Sequence, residues 1–125
     1  MILLLDAHAL LWWLADDQTL DEGARRSIAD PVHDVLISAA TIWEIGMKRA
    51  LGKVEAPDGL REAVEATGFG GLPITLADAE VAAVLPGHHR DPFDRMLVAQ
   101  AQRLGAVLVT RDRAFEAYGV PLLTA

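Results

Sequence analysis

Short apolar runs alternate with longer stretches of helical period along this chain. The runs contain almost no polar residue and lie at residues 2–5, 35–38, 72–74, 106–109 and 120–123. Strands that are apolar throughout are typical of a parallel sheet covered on both faces. Between the runs, apolar residues recur every three or four positions and predict helices at 7–15, 21–30, 39–51, 58–66, 76–84 and 92–104.

This alternation predicts an α/β fold in which helices flank a central, parallel, five-stranded sheet. The fifth run contains Pro121, which cannot donate to a central ladder, so we place this strand at an edge of the sheet. A chain of 125 residues with 52% hydrophobic content is expected to form one domain over residues 1–125. The glycine-rich segment at 67–73 is the most flexible-looking connection.

The amino-acid composition narrows the classes of function. A formal net charge of −7 argues against a surface that binds nucleic acid everywhere, although a local basic patch stays open. The absence of cysteine excludes thiolate nucleophiles and disulfides. The segment MILLLD has no basic leader region, and uncharged stretches stop well short of the ~18 residues that span a bilayer. We therefore expect a soluble, cytoplasmic protein without a membrane partner.

Four acidic residues lie where the predicted strands end. Asp6 follows the first run directly, Glu44 comes six residues after the second, and Asp112 comes three residues after the fourth. Asp94 lies near the start of the helix that leads into the fourth run. The carboxyl ends of parallel strands meet at one edge of a sheet, where ligands bind. The four acids are therefore expected to gather at one rim.

Helix capping offers an alternative for most of these acids. Asp6 and Asp112 are placed to cap the segments that follow them, and Asp91 precedes a proline in a standard helix start. The segment TIWE, from Thr41 to Glu44, matches a capping box. Taken singly, each of these acids is explained by capping at least as well as by chemistry.

Capping explains Asp94 least well, because this residue heads an apolar helix face. Residues three and four apart share a face, and here that face continues with Leu97, Val98 and Ala101. Burying an unpaired carboxylate is costly, so Asp94 requires a cation. Arg95 points about a quarter turn away, which leaves an arginine at a neighbouring strand end or a bound metal ion.

A gathered set of carboxylates selects hard divalent ions, because oxygen ligands suit Mg²⁺ and Mn²⁺. Such an ion activates water and neutralises charge on phosphoryl oxygens, which is the chemistry of phosphodiester hydrolysis. Without the ion, the acids would repel one another and their pKa values would rise.

Four segments in chain order carry a resemblance to a known family. They are LLLDAHALLWWL at 3–14, SAATIWEIGMK at 38–48, HRDPFDRMLVAQA at 89–101 and LVTRD at 108–112. Together they resemble PIN domains, in particular the VapC-like toxins of prokaryotic VapBC toxin–antitoxin pairs. The resemblance implies a PIN-like three-layer sandwich and an endoribonuclease that uses Mg²⁺ or Mn²⁺. It also implies an RNA substrate, a VapB-like antitoxin as partner and a homodimer.

The same resemblance assigns the site residues. It implies that the metal and catalytic acids are Asp6, Glu44, Asp94 and Asp112, supported by Asp91 and Thr110. Many similar toxins have a hydroxyl residue directly after the first acid, where this chain has Ala7. A hydrogen bond that would orient the first acid is therefore expected to be missing.

Basic residues lie close to the acids in the sequence. The set expected to contact RNA phosphates is Arg90, Arg95, Arg111, Arg113 and Lys48. The alternative is that each one only balances a nearby acid as a surface pair. His88 and His89 lie in a predicted loop, where they either contact RNA or are ordinary exposed histidines.

Two other functions compete with the ribonuclease. A receiver-like phospho-switch also holds Mg²⁺ at strand ends, but it would need a lysine after the last strand, and VPLLTA has none. A catalytically silent PIN-like module that only binds a partner would be expected to lack one or more acids. All four acids are present, which favours the ribonuclease.

Overall fold

A computed structural model describes residues 1–125 and contains a five-stranded, all-parallel sheet in the order β3-β2-β1-β4-β5. The strands are β1 (Ile2–Leu5), β2 (Asp34–Ser38), β3 (Gly70–Leu72), β4 (Val107–Thr110) and β5 (Leu122–Thr124). The predicted five-stranded parallel sheet is therefore confirmed. β5 lies at an edge, as Pro121 indicated, with the proline just before the strand.

Helices cover both faces of this sheet. They are α1 (Ala7–Leu14), α2 (Glu22–Ala29), α3 (Ala39–Ala50), α4 (Leu60–Thr67), α5 (Leu76–Val84) and α6 (Pro92–Leu104), with a 3₁₀ helix at Arg113–Tyr118. The bounds agree with the sequence prediction to within one residue, except at α4, which begins two residues late. There Gly59 occupies the N-cap position, and the side chain of the preceding Asp58 pairs with Arg49.

Two apolar clusters form the core, one on each face of the sheet. Side chains alternate along β1, so that Leu3 and Leu5 join the cluster containing residues of α1 to α4. Leu4 points the other way and joins the cluster formed with α6 and the 3₁₀ helix, where Leu97 and Phe115 are fully buried. Because strands are buried on both faces, they carry the continuous apolar pattern seen in the sequence.

The third strand differs from its predicted position at 72–74. It lies at Gly70–Leu72 and pairs with β2, so the glycine-rich segment that looked flexible is part of the sheet. Pro73 lacks an N–H and cannot continue the ladder. A Cβ atom on Gly70 would lie 2.8 Å from Cδ2 of Leu36, so the two strands approach closely at a glycine.

None of the helices has the length and apolar composition needed to cross a lipid bilayer.

Candidate metal centre

Three neighbouring strands deliver the predicted acids to one edge of the sheet. Asp6 follows β1, α3 with Glu44 begins directly after β2, and Thr110 ends β4. The β1 strand lies between the other two, so their carboxyl ends are adjacent. A single imidazole, that of His89, contacts both Asp94 on α6 and Asp112 just after β4, which places the start of α6 at the same edge. The expected gathering of acids is thus present in the structure.

Asp6 is held rigidly by two donors, one for each carboxylate oxygen. The Ala9 amide donates to Oδ1 at 2.9 Å, so Asp6 does cap α1. The Thr110 hydroxyl donates to Oδ2 at 2.6 Å. Burial raises the pKa of Asp6, and Glu44 raises it further, while these hydrogen bonds lower it. The orienting hydroxyl expected to be missing at Ala7 is therefore supplied from β4 by Thr110.

Glu44 is almost completely buried, with 4% of its surface exposed. Its Oε2 accepts from Nζ of Lys48 at 2.5 Å, whereas its Oε1 has no hydrogen-bond partner. The predicted capping box from Thr41 to Glu44 is wrong, because α3 begins earlier and Ser38 is its N-cap. Glu44 therefore does not cap a helix, and a buried carboxylate oxygen is left unpaired, which is rare and costly.

Asp94 has the most strongly altered acidity at this edge. Burial raises its pKa to about 7, and the neighbouring Asp91 and Glu44 add to the rise. The side chain that contacts Asp94 is His89, with Nε2 2.9 Å from Oδ2, so the arginine that was one of the two expected partners is wrong and the metal ion stays a prediction. The negative charges of Asp91 and Glu44 therefore disfavour the ionised form of Asp94.

Asp112 joins the group through the same histidine. His89 Nε2 lies 3.0 Å from Oδ2 of Asp112, whose side chain is 46% exposed. The other oxygen of Asp112 accepts from the Ala114 amide at 2.9 Å and caps the 3₁₀ helix. Ligand atoms of His89, Asp94 and Asp112 all lie within 4.8 Å of one another. The sequence placed His89 in a loop as a possible RNA contact and did not predict its contact with these acids; its position two residues before the Asp91 cap was the one available signal.

Asp91 and Lys48 complete the charged surroundings. Asp91 caps α6 through its Oδ1, which accepts from the amides of Phe93 at 2.9 Å and Asp94 at 3.1 Å. The hydrogen bond to Glu44 raises the pKa of Lys48, and the charges of Asp91 and Asp94 raise it further. The ammonium group of Lys48 therefore lies near three of these acids.

The arginines expected to contact RNA fall into two groups. Arg95 donates to the carbonyls of four residues between 82 and 89, at 2.7–3.1 Å. Arg111 donates to the carbonyls of Ala125 and Thr19, and lies 4.5 Å from the Trp12 ring centroid. These two guanidinium groups are engaged in holding the fold together.

The remaining two arginines face solvent. Arg113 has a 77% exposed side chain, which pairs with Glu116, and Arg90 is also exposed. Of the predicted basic set, these two and Lys48 are the residues whose cationic groups are not bonded to main-chain carbonyls.

The residues at this edge fit a hard divalent cation. Carboxylate oxygens dominate the donor set, as Mg²⁺ and Mn²⁺ prefer. Oε1 of Glu44 is a buried oxygen without a partner, and burial together with the neighbouring acids raises the pKa of Asp94. A cation of charge +2 would relieve both features at once.

Comparisons with known proteins identify the family of this chain. Over 123 residues the chain is 31% identical to Ribonuclease VapC22 from Mycobacterium tuberculosis, covering 94% of this chain and 92% of that one. VapBC2 from Rickettsia felis, solved with a DNA fragment, has a TM-score of 0.71 at 13% identity, covering 98% of both chains. DNA-bound VapBC from Salmonella typhimurium has a TM-score of 0.70 at 20% identity, covering 98% of this chain and 97% of that one. The family model described as PIN domain matches residues 3–121, and the chain therefore belongs to the PIN domain family.

Proposed function

We propose that this chain is a metal-dependent endoribonuclease that hydrolyses RNA phosphodiester bonds and acts as the toxin of a toxin–antitoxin pair. The observation that carries the proposal is the unpaired, buried Oε1 of Glu44 in a group of acids that includes Asp6 and Asp94. The relative called Ribonuclease VapC22 supports the reaction class. Membership of the PIN domain family removes the receiver-like alternative.

In this proposal Asp6, Glu44 and Asp94 hold Mg²⁺ or Mn²⁺, and Asp112 belongs to the same site. The ion, when bound, supplies an activated water and neutralises charge on the phosphate. Thr110 and the Ala9 amide fix the orientation of Asp6, so that one acid is in place before any ion arrives. Preorganised ligands of this kind reduce the cost of assembling a site.

The chain's own cations bring an RNA backbone to this acidic edge. Arg90 and Arg113 are exposed and flank the acids in sequence, so we assign them to the phosphates on either side of the scissile bond. Lys48 lies beside Glu44 and offsets part of the negative charge of the site. Arg95 and Arg111 are left out of this assignment because main-chain carbonyls occupy their donors.

The partners follow from the same relatives. Solved structures described as VapBC share the fold, which supports a VapB-like antitoxin as partner. We propose in addition that residues 1–125 act as a single PIN domain and that the toxin is a homodimer. Size-exclusion chromatography with light scattering measures the oligomeric state of the purified chain.

The test of the proposed activity is cleavage of a mixed cellular RNA pool by the purified chain. Parallel reactions contain Mg²⁺, Mn²⁺ or EDTA, and compare wild type with Asp94→Asn and with the exposed control Asp34→Asn. We expect cuts that require metal, persist in Asp34→Asn and disappear in Asp94→Asn. Cleavage by folded Asp94→Asn at the wild-type rate would contradict the site. No cleavage by folded wild type with either metal would instead favour the silent partner-binding module.

A further inference from the structure

One residue at this edge belongs to neither the acid set nor the basic set, and it contacts both Asp94 and Asp112. The Nε2 atom of His89 lies 2.9 Å from Oδ2 of Asp94 and 3.0 Å from Oδ2 of Asp112. These two acids come from different elements, one from α6 and the other from the turn after β4. The imidazole therefore connects two parts of the site that the backbone does not connect.

The hydrogen bond at the other ring nitrogen of His89 indicates which of the two nitrogens carries the hydrogen. The Asp91 amide donates to Nδ1 at 3.3 Å, so Nδ1 presents a lone pair. A neutral imidazole with a lone pair on Nδ1 carries its hydrogen on Nε2. His89 is therefore an N–H donor to Asp94 and Asp112. Histidines that ligate metals usually donate their second N–H to an acceptor, whereas here the second nitrogen receives a hydrogen bond.

His89 is also held in place by two main-chain hydrogen bonds and one contact of its ring. The His89 amide donates to the Tyr118 hydroxyl at 2.9 Å, and its carbonyl accepts from Arg95 at 3.1 Å. The ring lies against Phe115, with centroids 5.4 Å apart. Only 16% of the His89 side chain is exposed. This loop histidine is held in position and is not an ordinary exposed side chain.

We propose that His89 is a positioning residue that binds one oxygen of Asp94 and one of Asp112 through its Nε2–H and so raises the affinity of the site for its divalent cation. The proposal rests on the metal site of the proposed function. His89 contacts Oδ2 of Asp94, which leaves Oδ1 as the oxygen for the cation. Without the N–H donor, the carboxylates of Asp94 and Asp112, whose ligand atoms lie within 4.8 Å of each other, would repel and lose their fixed orientation.

The expected size of the effect follows from other metal sites. Outer hydrogen-bond partners of ligating side chains typically change metal affinity about 10- to 100-fold when removed. His89→Ala removes the donor and should weaken binding by this factor. His89→Gln places an amide N–H close to the position of Nε2, so it should retain most of the affinity.

The experiment is calorimetric titration of Mn²⁺, and separately of Mg²⁺, into the full chain after its metals have been removed with EDTA. The variants are His89→Ala, His89→Gln and the matched control His88→Ala. His88 is exposed and stacks edge-on against Tyr118 at 5.2 Å. We expect weak binding by His89→Ala, near-normal binding by His89→Gln, and normal binding by His88→Ala. Unchanged affinity in His89→Ala would overturn the inference, as would equal losses in both His89 variants.

Nitrogen-15 NMR of the histidine side chains gives a readout that is independent of affinity. We expect His89 to keep its hydrogen on Nε2 both without metal and at saturating Mg²⁺, which is diamagnetic. Loss of that hydrogen on adding Mg²⁺ would make His89 a ligand and would refute a positioning role.

The same titrations separate this inference from the proposed function. Asp94→Asn is included as a fourth variant and should lose metal binding. If Asp94→Asn binds metal as wild type does, the metal site itself is wrong. If Asp94→Asn loses binding while His89→Ala does not, the metal site stands and only the role of His89 is wrong.

Discussion

Asp94→Asn should stabilise the metal-free protein at neutral and alkaline pH, even though it removes the proposed activity. Burial and the nearby Asp91 and Glu44 raise the pKa of Asp94 to about 7. The ionised form of Asp94 therefore lowers the free energy of unfolding of the metal-free protein. Asparagine has nearly the same shape and carries no charge, and its carbonyl oxygen can still accept the hydrogen bond from His89.

The magnitude and sign follow from the altered acidity. A rise from 3.8 to about 7 is about three pKa units, and each unit corresponds to about 1.4 kcal/mol. The charged form of Asp94 thus destabilises the metal-free fold by up to about 4 kcal/mol. Between pH 4 and 7 the folded protein binds more protons than the unfolded chain, so wild-type stability falls as pH rises through this window. Well above pH 7, Asp94 is ionised in both states and wild-type stability falls no further from this cause.

The assay is urea unfolding in EDTA at several pH values between 4 and 8, with Asp34→Asn as an exposed control. At pH 4 the free energies of unfolding of wild type and Asp94→Asn should be similar. At pH 8 the variant should be about 1–4 kcal/mol more stable. Saturating Mg²⁺ should then stabilise wild type and not the variant, because only wild type binds the ion. If Asp94→Asn were no more stable than wild type at pH 8 in EDTA, the reasoning about crowded charge would be refuted.

Two further predictions concern the scaffold and are checked by the same urea titrations. Gly105→Ala should lower the free energy of unfolding by about 1 kcal/mol, because Gly105 ends α6 with a φ of 64°, which alanine adopts poorly. Gly46→Ala, inside α3 with open space around it, should instead raise it by about 0.5–1 kcal/mol. Equal effects of the two substitutions would contradict the argument. Arg95→Lys should cost about 2 kcal/mol, because one ammonium group cannot replace a guanidinium that serves four carbonyls. It should also weaken Mn²⁺ binding, because Arg95 holds the loop that carries His89. If Arg95→Lys kept the stability and the metal affinity of wild type, this hydrogen-bond network would be dispensable.

Local sequence signals predicted most of the fold because the physics behind them is local. The bounds of α5 and α6 match the prediction because Thr75 and Asp91 cap these helices and the apolar period is clear. The third strand was misplaced because its first two residues, Gly70 and Gly71, have no side chains to form a pattern. Pairing with β2 determines that strand, and such pairing is not visible in the segment itself.

The site was predictable to the extent that strand ends determine position. Asp6, Glu44 and Asp94 could be predicted to lie close together because the carboxyl ends of parallel strands meet at one edge. The contacts of His89 reach Asp112, 23 positions away in sequence, and Tyr118, 29 positions away. No short segment encodes such contacts, so a loop histidine looked ordinary until the chain was folded.

Capping and chemistry competed as explanations of these acids, and the structure shows that a capping carboxylate can keep its second oxygen for another contact. Asp6 caps α1 with Oδ1 and receives the Thr110 hydroxyl on Oδ2. Asp112 caps the 3₁₀ helix with Oδ1 and receives His89 on Oδ2. In each case the backbone amide fixes one oxygen, which restricts the rotation of the whole group, and the positive end of the α1 dipole adds favourable charge at Asp6. Capping therefore orients these acids and lowers the cost of holding several negative charges at one edge, so a capping signature at a strand end is compatible with the proposed metal site.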